Sequence, residues 1–425
     1  MSVATIVPSR ALALALAVFL LLIAAAQSSA QTKTTLPHPN IAATDATQIK
    51  IPVHVSEQKL QALAESTIAV DRSPASKLGR KQAVTSQSAK LSRIRMVTVS
   101  SEDPAASAAI YRRWLDYVHV ESGVIDRSLA RAWRAPKVAG RPYELLKSPT
   151  EQAFYLRFVQ TQIPPDYAPV SSTGWNALEL LVNDPYTLAE HLKPSPLRQL
   201  GEPRAIAEGS SIHATQYLGP DDEVIYFTAE TSPDKDSTLD VTDARVGRAF
   251  VVVVAAGEIA PLQRFYQDVF GLSTAYELSL PIPFLARLQG SPDTHEFPLA
   301  ILRLSAFSHA VELDAYPRPN ARHRIPGELP PGIAMVSFCM GKNAQGFDAM
   351  AQNPGWTVQP VLSEDANDLA AGSPEDAGAN ALVDGPILSS DFILRPASLA
   401  YGKGRAVTVT GAAGELIELI ECVSS

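Results

Sequence analysis

Residues equipped for chemistry are few and scattered in this 425-residue chain. Its two cysteines, Cys339 and Cys422, are too few for a four-cysteine zinc site or a disulfide framework, yet enough for one bridge in an oxidising compartment. The metalloprotease helix H-E-x-x-H, the nucleophile elbow G-x-S-x-G and the phosphate loop G-x-x-x-x-G-K-[ST] are all missing. Gly402-Lys403-Gly404 reads as hairpin-turn chemistry, not as a phosphate cradle. Two strand-like endings each carry a glutamate among apolar residues: Ala310-Val311-Glu312-Leu313 and Gly414-Glu415-Leu416-Ile417-Glu418-Leu419-Ile420-Glu421. His309 precedes Glu312 by three residues, so on a strand it points to the opposite face.

The elements that would position these groups follow a repeated plan. The β-branched run Phe250 to Val254 is a strand, Ala260 to Phe270 is an amphipathic helix, and Gly271 is its stop. Strands closing on Val311-Glu312-Leu313-Asp314 complete that unit. A first unit begins with a strand at Arg93 to Val99 and a helix from Asp103 to Val118, with Asp103 as N-cap and Pro104 at the first helical position. Its further strands are predicted at Ala130–Ala135, Tyr143–Lys147 and Ala153–Gln160. A second unit has strands at Asn176–Val182, Ile212–Tyr217 and Val224–Ala229, and a helix near Tyr186–Leu192. A fourth has Ile333–Met340, a helix at Gln345–Gln352, and strands near Phe392–Leu394, Ala406–Thr410 and Leu416–Glu421. The polar loop Thr231 to Asp243 is the domain boundary, dividing residues 91–231 from residues 245–425.

The order strand, helix ending in R-F-Y-Q-D-V-F-G-L, then strands closing on x-E-L resembles one βαβββ module of the vicinal-oxygen-chelate (VOC) superfamily. That superfamily includes glyoxalase I, extradiol dioxygenases and bleomycin-resistance proteins. The resemblance is clearer in 245–425 and divergent in 91–231. It implies an α+β fold of tandem βαβββ modules, forming two domains of curved mixed sheets, each around a cleft. In metal-using members, first and last strands of two modules donate ligands to one divalent ion. Carried over residue by residue, Glu312 and Glu418 take the last-strand positions. Ile333 stands where one first-strand ligand would be, and Phe250 or Val251 where the other would be. Two glutamates beside apolar partners imply a poor site, so a divalent metal is possible but no cofactor is expected. Without an ion, either glutamate could act as a general base in a partly apolar cleft. In 91–231, Arg157-Phe158 and Ile225-Tyr226 replace the expected glutamates, and the first-strand positions fall near Met96 and near Trp175 or Asn176. The family's strand neighbours would also bring Cys339 and Cys422 to one face, where they could bridge. The alternative is two reduced, buried thiols.

Residues 1–30 read as a Sec-type signal peptide: Arg10, an apolar run from Ala11 to Ala26, then small residues at Ser28 and Ala30. Residues 31–90 read as a flexible spacer rich in Thr, Ser, Pro, Ala and Gln. The formal net charge is −8 and no Lys/Arg-rich run occurs, which argues against nucleic acid as a partner. The expectation is an exported protein, periplasmic or extracellular, with no membrane span after cleavage. It would bind a small molecule in the cleft of 245–425. The alternative is a metal-dependent lyase, isomerase or dioxygenase using Glu312 and Glu418, and a third reading is a structural module for protein contacts.

Overall fold

The computed structural model describes residues 89–422 apart from 151, 207–208, 282–290, 293, 317–318, 320–323, 341–395 and 403. The signal peptide, nearly all of the spacer, His323, the helix at Gln345–Gln352 and the strand at Phe392–Leu394 lie outside the described residues. No helix among the described residues is long and apolar enough to cross a membrane.

The first module comprises β1 (Leu91–Ser101), α1 (Pro104–Trp114), β2 (Val118–Val124), β3 (Pro142–Lys147) and β4 (Tyr155–Gln160). A short helix, α2 (Arg127–Ala132), stands between β2 and β3. The second has β5 (Gly174–Val182), α3 (Pro185–Leu192), β6 (Arg198–Ala205), β7 (Ile212–Leu218) and β8 (Val224–Glu230). The third has β9 (Val246–Ala256), α4 (Ile259–Phe270), β10 (Ser273–Pro281), β11 (Glu296–Arg303) and β12 (Ala310–Ala315). Of the fourth, β13 (Ile333–Met340), β14 (Ala406–Thr410) and β15 (Leu416–Ile420) are described. The fold is α+β, built of tandem βαβββ modules.

Local chemistry sets the helix ends. The Asp103 side chain accepts from the Ala106 amide at 3.1 Å and Pro104 opens α1. Asp184 caps α3 in the same way, accepting from the Tyr186 amide. Gly271 ends α4 at φ 65°, a left-handed conformation that glycine adopts without a Cβ clash. The predicted strand at Ala130–Ala135 is instead α2 and the turn after it: Asp126 accepts from the Leu129 amide and starts a helix. Helix α1 also stops at Trp114, short of Val118, which begins β2.

Strand order corrects the expected pairing of neighbouring modules. One sheet runs β14-β15-β13-β1-β4-β3-β2 and the other β10-β11-β12-β9-β5-β8-β7-β6. First strands join antiparallel, β1 with β13 and β5 with β9, so the first module shares a sheet with the fourth and the second with the third. The division between 91–231 and 245–425 is therefore crossed by both sheets. Each first strand would otherwise be an edge with unpaired backbone groups, and pairing first strands with each other removes all four such edges.

Side chains alternate between two environments. Val97, Phe158, Leu180, Val252, Leu313 and Leu419, from both sheets, enter one shared core together with Tyr111 of α1, Leu188 of α3 and Tyr266 of α4. Residues of the opposite parity face away from that core. Val251, Val253, Tyr226 and Leu299 form the cleft face of the second sheet. Met335, Leu416 and Val159 line that of the first, covered by Trp133.

Candidate functional site

The first sheet's cleft face is closed by a buried polar cluster. Register places Arg157 of β4 beside Thr98 of β1, and Glu418 of β15 beside Ser337 of β13. Arg157 is 1% exposed. Its Nε and Nη2 donate to Thr98 Oγ1 at 3.1 and 2.9 Å, and Nη1 donates to the Tyr401 hydroxyl at 2.6 Å. Nη2 stands 3.7 Å from Glu418 Oε2, and the guanidinium lies 4.4 Å from the Trp133 ring centroid. Glu418 accepts from Tyr401 at 2.8 Å, from Ser337 at 2.6 Å and from Trp133 Nε1 at 3.4 Å. Burial alone would lower the Arg157 pKa, but Tyr401 and Glu418 outweigh it and the pKa rises. This cleft carries a fixed cation at its centre, and a metal ion does not fit beside it.

Among the described residues, the cavity of the second cleft is lined by acids and by no such cation. Glu179 of β5, Glu312 and Asp314 of β12, Tyr226 of β8 and Tyr316 line one cavity of about 10 Å³, walled also by Val170, Ala177 and Val253. None of its lining residues is Lys, Arg or His. Glu179 and Glu312 are 1% exposed, Asp314 3% and Tyr316 0%. Glu179 Oε1, Glu312 Oε2, Asp314 Oδ1 and the Tyr316 hydroxyl are buried without a hydrogen-bond partner. Glu179 Oε2 accepts from Thr228 at 3.5 Å. Burial pushes Glu179 up to about 8 and Asp314 up to about 7. Glu312 is raised well above the carboxylate range by burial and by Asp314 and Glu179 beside it.

Glu312 and Glu418 are not brought together: they lie on different sheets with different neighbours. A single ion cannot be shared by that pair. Ile333 is likewise displaced. A register shift against β1 pairs Ile333 with Val99 and Met335 with Thr98, so Ile333 turns into the shared core and Ser337 stands opposite Glu418. Val251 faces the second cleft, but it pairs with Ala310 and Glu179, whereas Val253 pairs with Glu312 and lines the cavity. His309 stands apart, its Nδ1 accepting from the Ile94 amide at 3.4 Å. Cys339 and Cys422 form a disulfide with Cα atoms 5.3 Å apart.

Glu179 and Asp314 were not among the expected site residues. Their signal was available: Glu179 is the one charge inside Gly174–Val182, and Asp314 shares strand parity with Glu312. Hard oxygen donors of this kind suit Mg²⁺, Ca²⁺ or Mn²⁺ by type. Among the described residues, however, no three or more His, Cys, Asp or Glu are arranged to hold a metal ion.

No family model matches the chain, and no curated protein matches it. Among solved structures, it is similar to glyoxalase I from Zea mays, with 13% identity, 77% of this chain and 92% of that chain covered, and a TM-score of 0.45. A putative dioxygenase from Bacillus subtilis shows 9% identity over 78% of this chain and 85% of that one, with a TM-score of 0.49. A glyoxalase/bleomycin resistance protein/dioxygenase superfamily member from Sphaerobacter thermophilus shows 14% identity, 33% and 98% coverage, and a TM-score of 0.25. The α+β assignment, tandem βαβββ modules in two mixed sheets, rests on the strand order itself.

Proposed function

We propose that this chain is an exported small-molecule-binding protein of the glyoxalase/bleomycin-resistance-like (VOC) kind, with its ligand held in the cleft of the second and third modules. The cleft of the first and fourth modules is a closed, structural half. One contrast carries this reading. Arg157 and Glu418 satisfy each other in the first cleft, whereas four buried polar atoms in the second converge on a cavity with no partner. Natural interiors rarely leave such groups unmatched. Export is supported by the signal-like N-terminus, and a Cys339–Cys422 bridge suits an oxidising compartment.

Thermal-shift screening of a small-molecule library tests the reading. Hits on the wild-type chain should vanish in Ala177→Leu, which fills the second cavity, and persist in Thr98→Val, which alters only the first cleft. Hits indifferent to Ala177→Leu, or lost only in Thr98→Val, would overturn it.

A further inference from the structure

The two sheets also meet at a junction outside both clefts. The turn joining β11 to β12 docks on the N-terminal end of β1, the Ser305 and Ala306 amides donating to the Leu91 and Ser92 carbonyls at 3.0 and 2.9 Å. His309, 3% exposed, completes the junction: its Nδ1 accepts from the Ile94 amide at 3.4 Å. A neutral imidazole that accepts at Nδ1 carries its hydrogen on Nε2. That Nε2 is buried without a hydrogen-bond partner. Arg93 immediately precedes Ile94, and its Nε is buried without a partner as well. Two N–H donors at one junction thus lack an acceptor, which natural interiors rarely allow.

Charge selects the acceptor. Arg248, 4% exposed, donates through Nη1 to the carbonyl of Ser308, the residue before His309, at 3.1 Å. Its Nη2 binds Asp240 at 2.8 Å. Among the described residues Asp240 is the carboxylate paired at this junction, so two permanently charged guanidiniums stand against one negative charge. Burial first, then Arg248 and Arg93, hold His309 well below the usual histidine range, so its ring donates without adding charge. We infer that the junction binds a small monovalent anion of chloride size, held by the Nε–H of Arg93 and the Nε2–H of His309 beside Arg248. Such an ion accepts from both donors and balances the remaining guanidinium. A water molecule would accept from both but bring no charge, and a divalent cation would be repelled by both arginines. Because both donor atoms are shut away from solvent, only a small anion reaches them. Bound there, it ties β1 of the first sheet to the start of β12 in the second, and it is independent of the ligand proposed for the second cleft.

The test compares the full chain in sodium chloride with the same chain in sodium gluconate at equal ionic strength. Chloride should raise the melting temperature saturably by several degrees, whereas gluconate, too large for the junction, should give only the general effect of salt. Wild-type crystals soaked in sodium bromide should show an anomalous peak within hydrogen-bonding distance of His309 Nε2 and Arg93 Nε. Arg93→Gln, at a partly exposed position, should weaken the chloride response roughly tenfold and remove the peak. Equal melting in the two salts, a water at the junction with no anomalous signal, or bromide bound only elsewhere would overturn the inference, and none of these readouts needs the variant to fold. A chloride response that Arg93→Gln leaves unchanged would also overturn it.

Discussion

The Tyr111 hydroxyl donates to Glu223 Oε1 at 2.6 Å, tying the helix of the first module to the last hairpin turn of the second. Tyr266 and Glu415 repeat the tie between the third and fourth modules at 2.8 Å. In each case the other carboxyl oxygen accepts a backbone amide of the same turn, from Asp221 or Ala413. Sheets join modules one to four and two to three, and these tyrosines join one to two and three to four. Tyr111→Phe should cost about 1–3 kcal/mol by leaving a buried acceptor short of its donor. Urea denaturation measures the loss, and Tyr266→Phe should behave alike.

Arg157→Met strips Glu418 of the one cationic neighbour it has among the described residues, in a dry site. Breaking such a pair from one side costs roughly 3–5 kcal/mol, while replacing both members with apolar residues can be neutral. Arg157→Met combined with Glu418→Leu should therefore recover most of the stability lost by Arg157→Met alone. A double-mutant cycle in denaturant checks the coupling. Losses that simply add would show that the pair is not the closure described above.

The second cleft predicts an alkaline weakness. Glu179 and Asp314 hold their protons up to about 8 and about 7 in the folded chain. Unfolded, such groups ionise near pH 4. Between these limits the folded state binds more protons than the unfolded state, so stability falls as pH rises. Glu223, also raised to about 8, and Asp221, raised to about 6, act in the same direction. Melting temperature should decline from pH 5 to pH 9, and Glu312→Gln should shallow the slope. A flat profile would contradict the buried acids.

The Cys339–Cys422 bridge closes a separation of 83 residues. Reduction should destabilise the chain by about 2–4 kcal/mol. Denaturation with and without reductant measures this, and Cys339→Ser should match the reduced wild type. The non-reduced protein should contain no alkylatable thiol.

Much of the fold was legible because it is local. Periodicity fixes β13 at Ile333–Met340 and β14 at Ala406–Thr410, and Gly271 marks the end of α4. Strands β2 and β6 were hidden because their sequences, V-H-V-E-S-G-V and R-Q-L-G-E-P-R-A, carry many polar residues and are at most partly buried over nearly all their length. The candidate site was half legible. Glu312 announces itself by pattern, but its companions Glu179 and Asp314 follow from β5 pairing with β9, a choice of sheet partner that no local window contains. The same long-range choice separates Glu312 from Glu418. The bulge that turns Ile333 inward adds one residue to a strand, and strand parity cannot be counted past it.

The nested module order also bears on how the chain matures. Strands β5 and β9 are near in sequence, so the inner sheet closes a modest loop. The outer sheet joins β1 to β13, and contacts within it such as Arg157 to Tyr401 span 244 residues. In a chain that emerges N-terminus first, β1 must wait, one edge bare, until β13 at Ile333–Met340 has arrived. The outer sheet is thus expected to be the slow step of assembly and the stretch most exposed to mispairing on the way, whereas the disulfide, which ties β13 to the end of β15, lies within the fourth module and can form without β1.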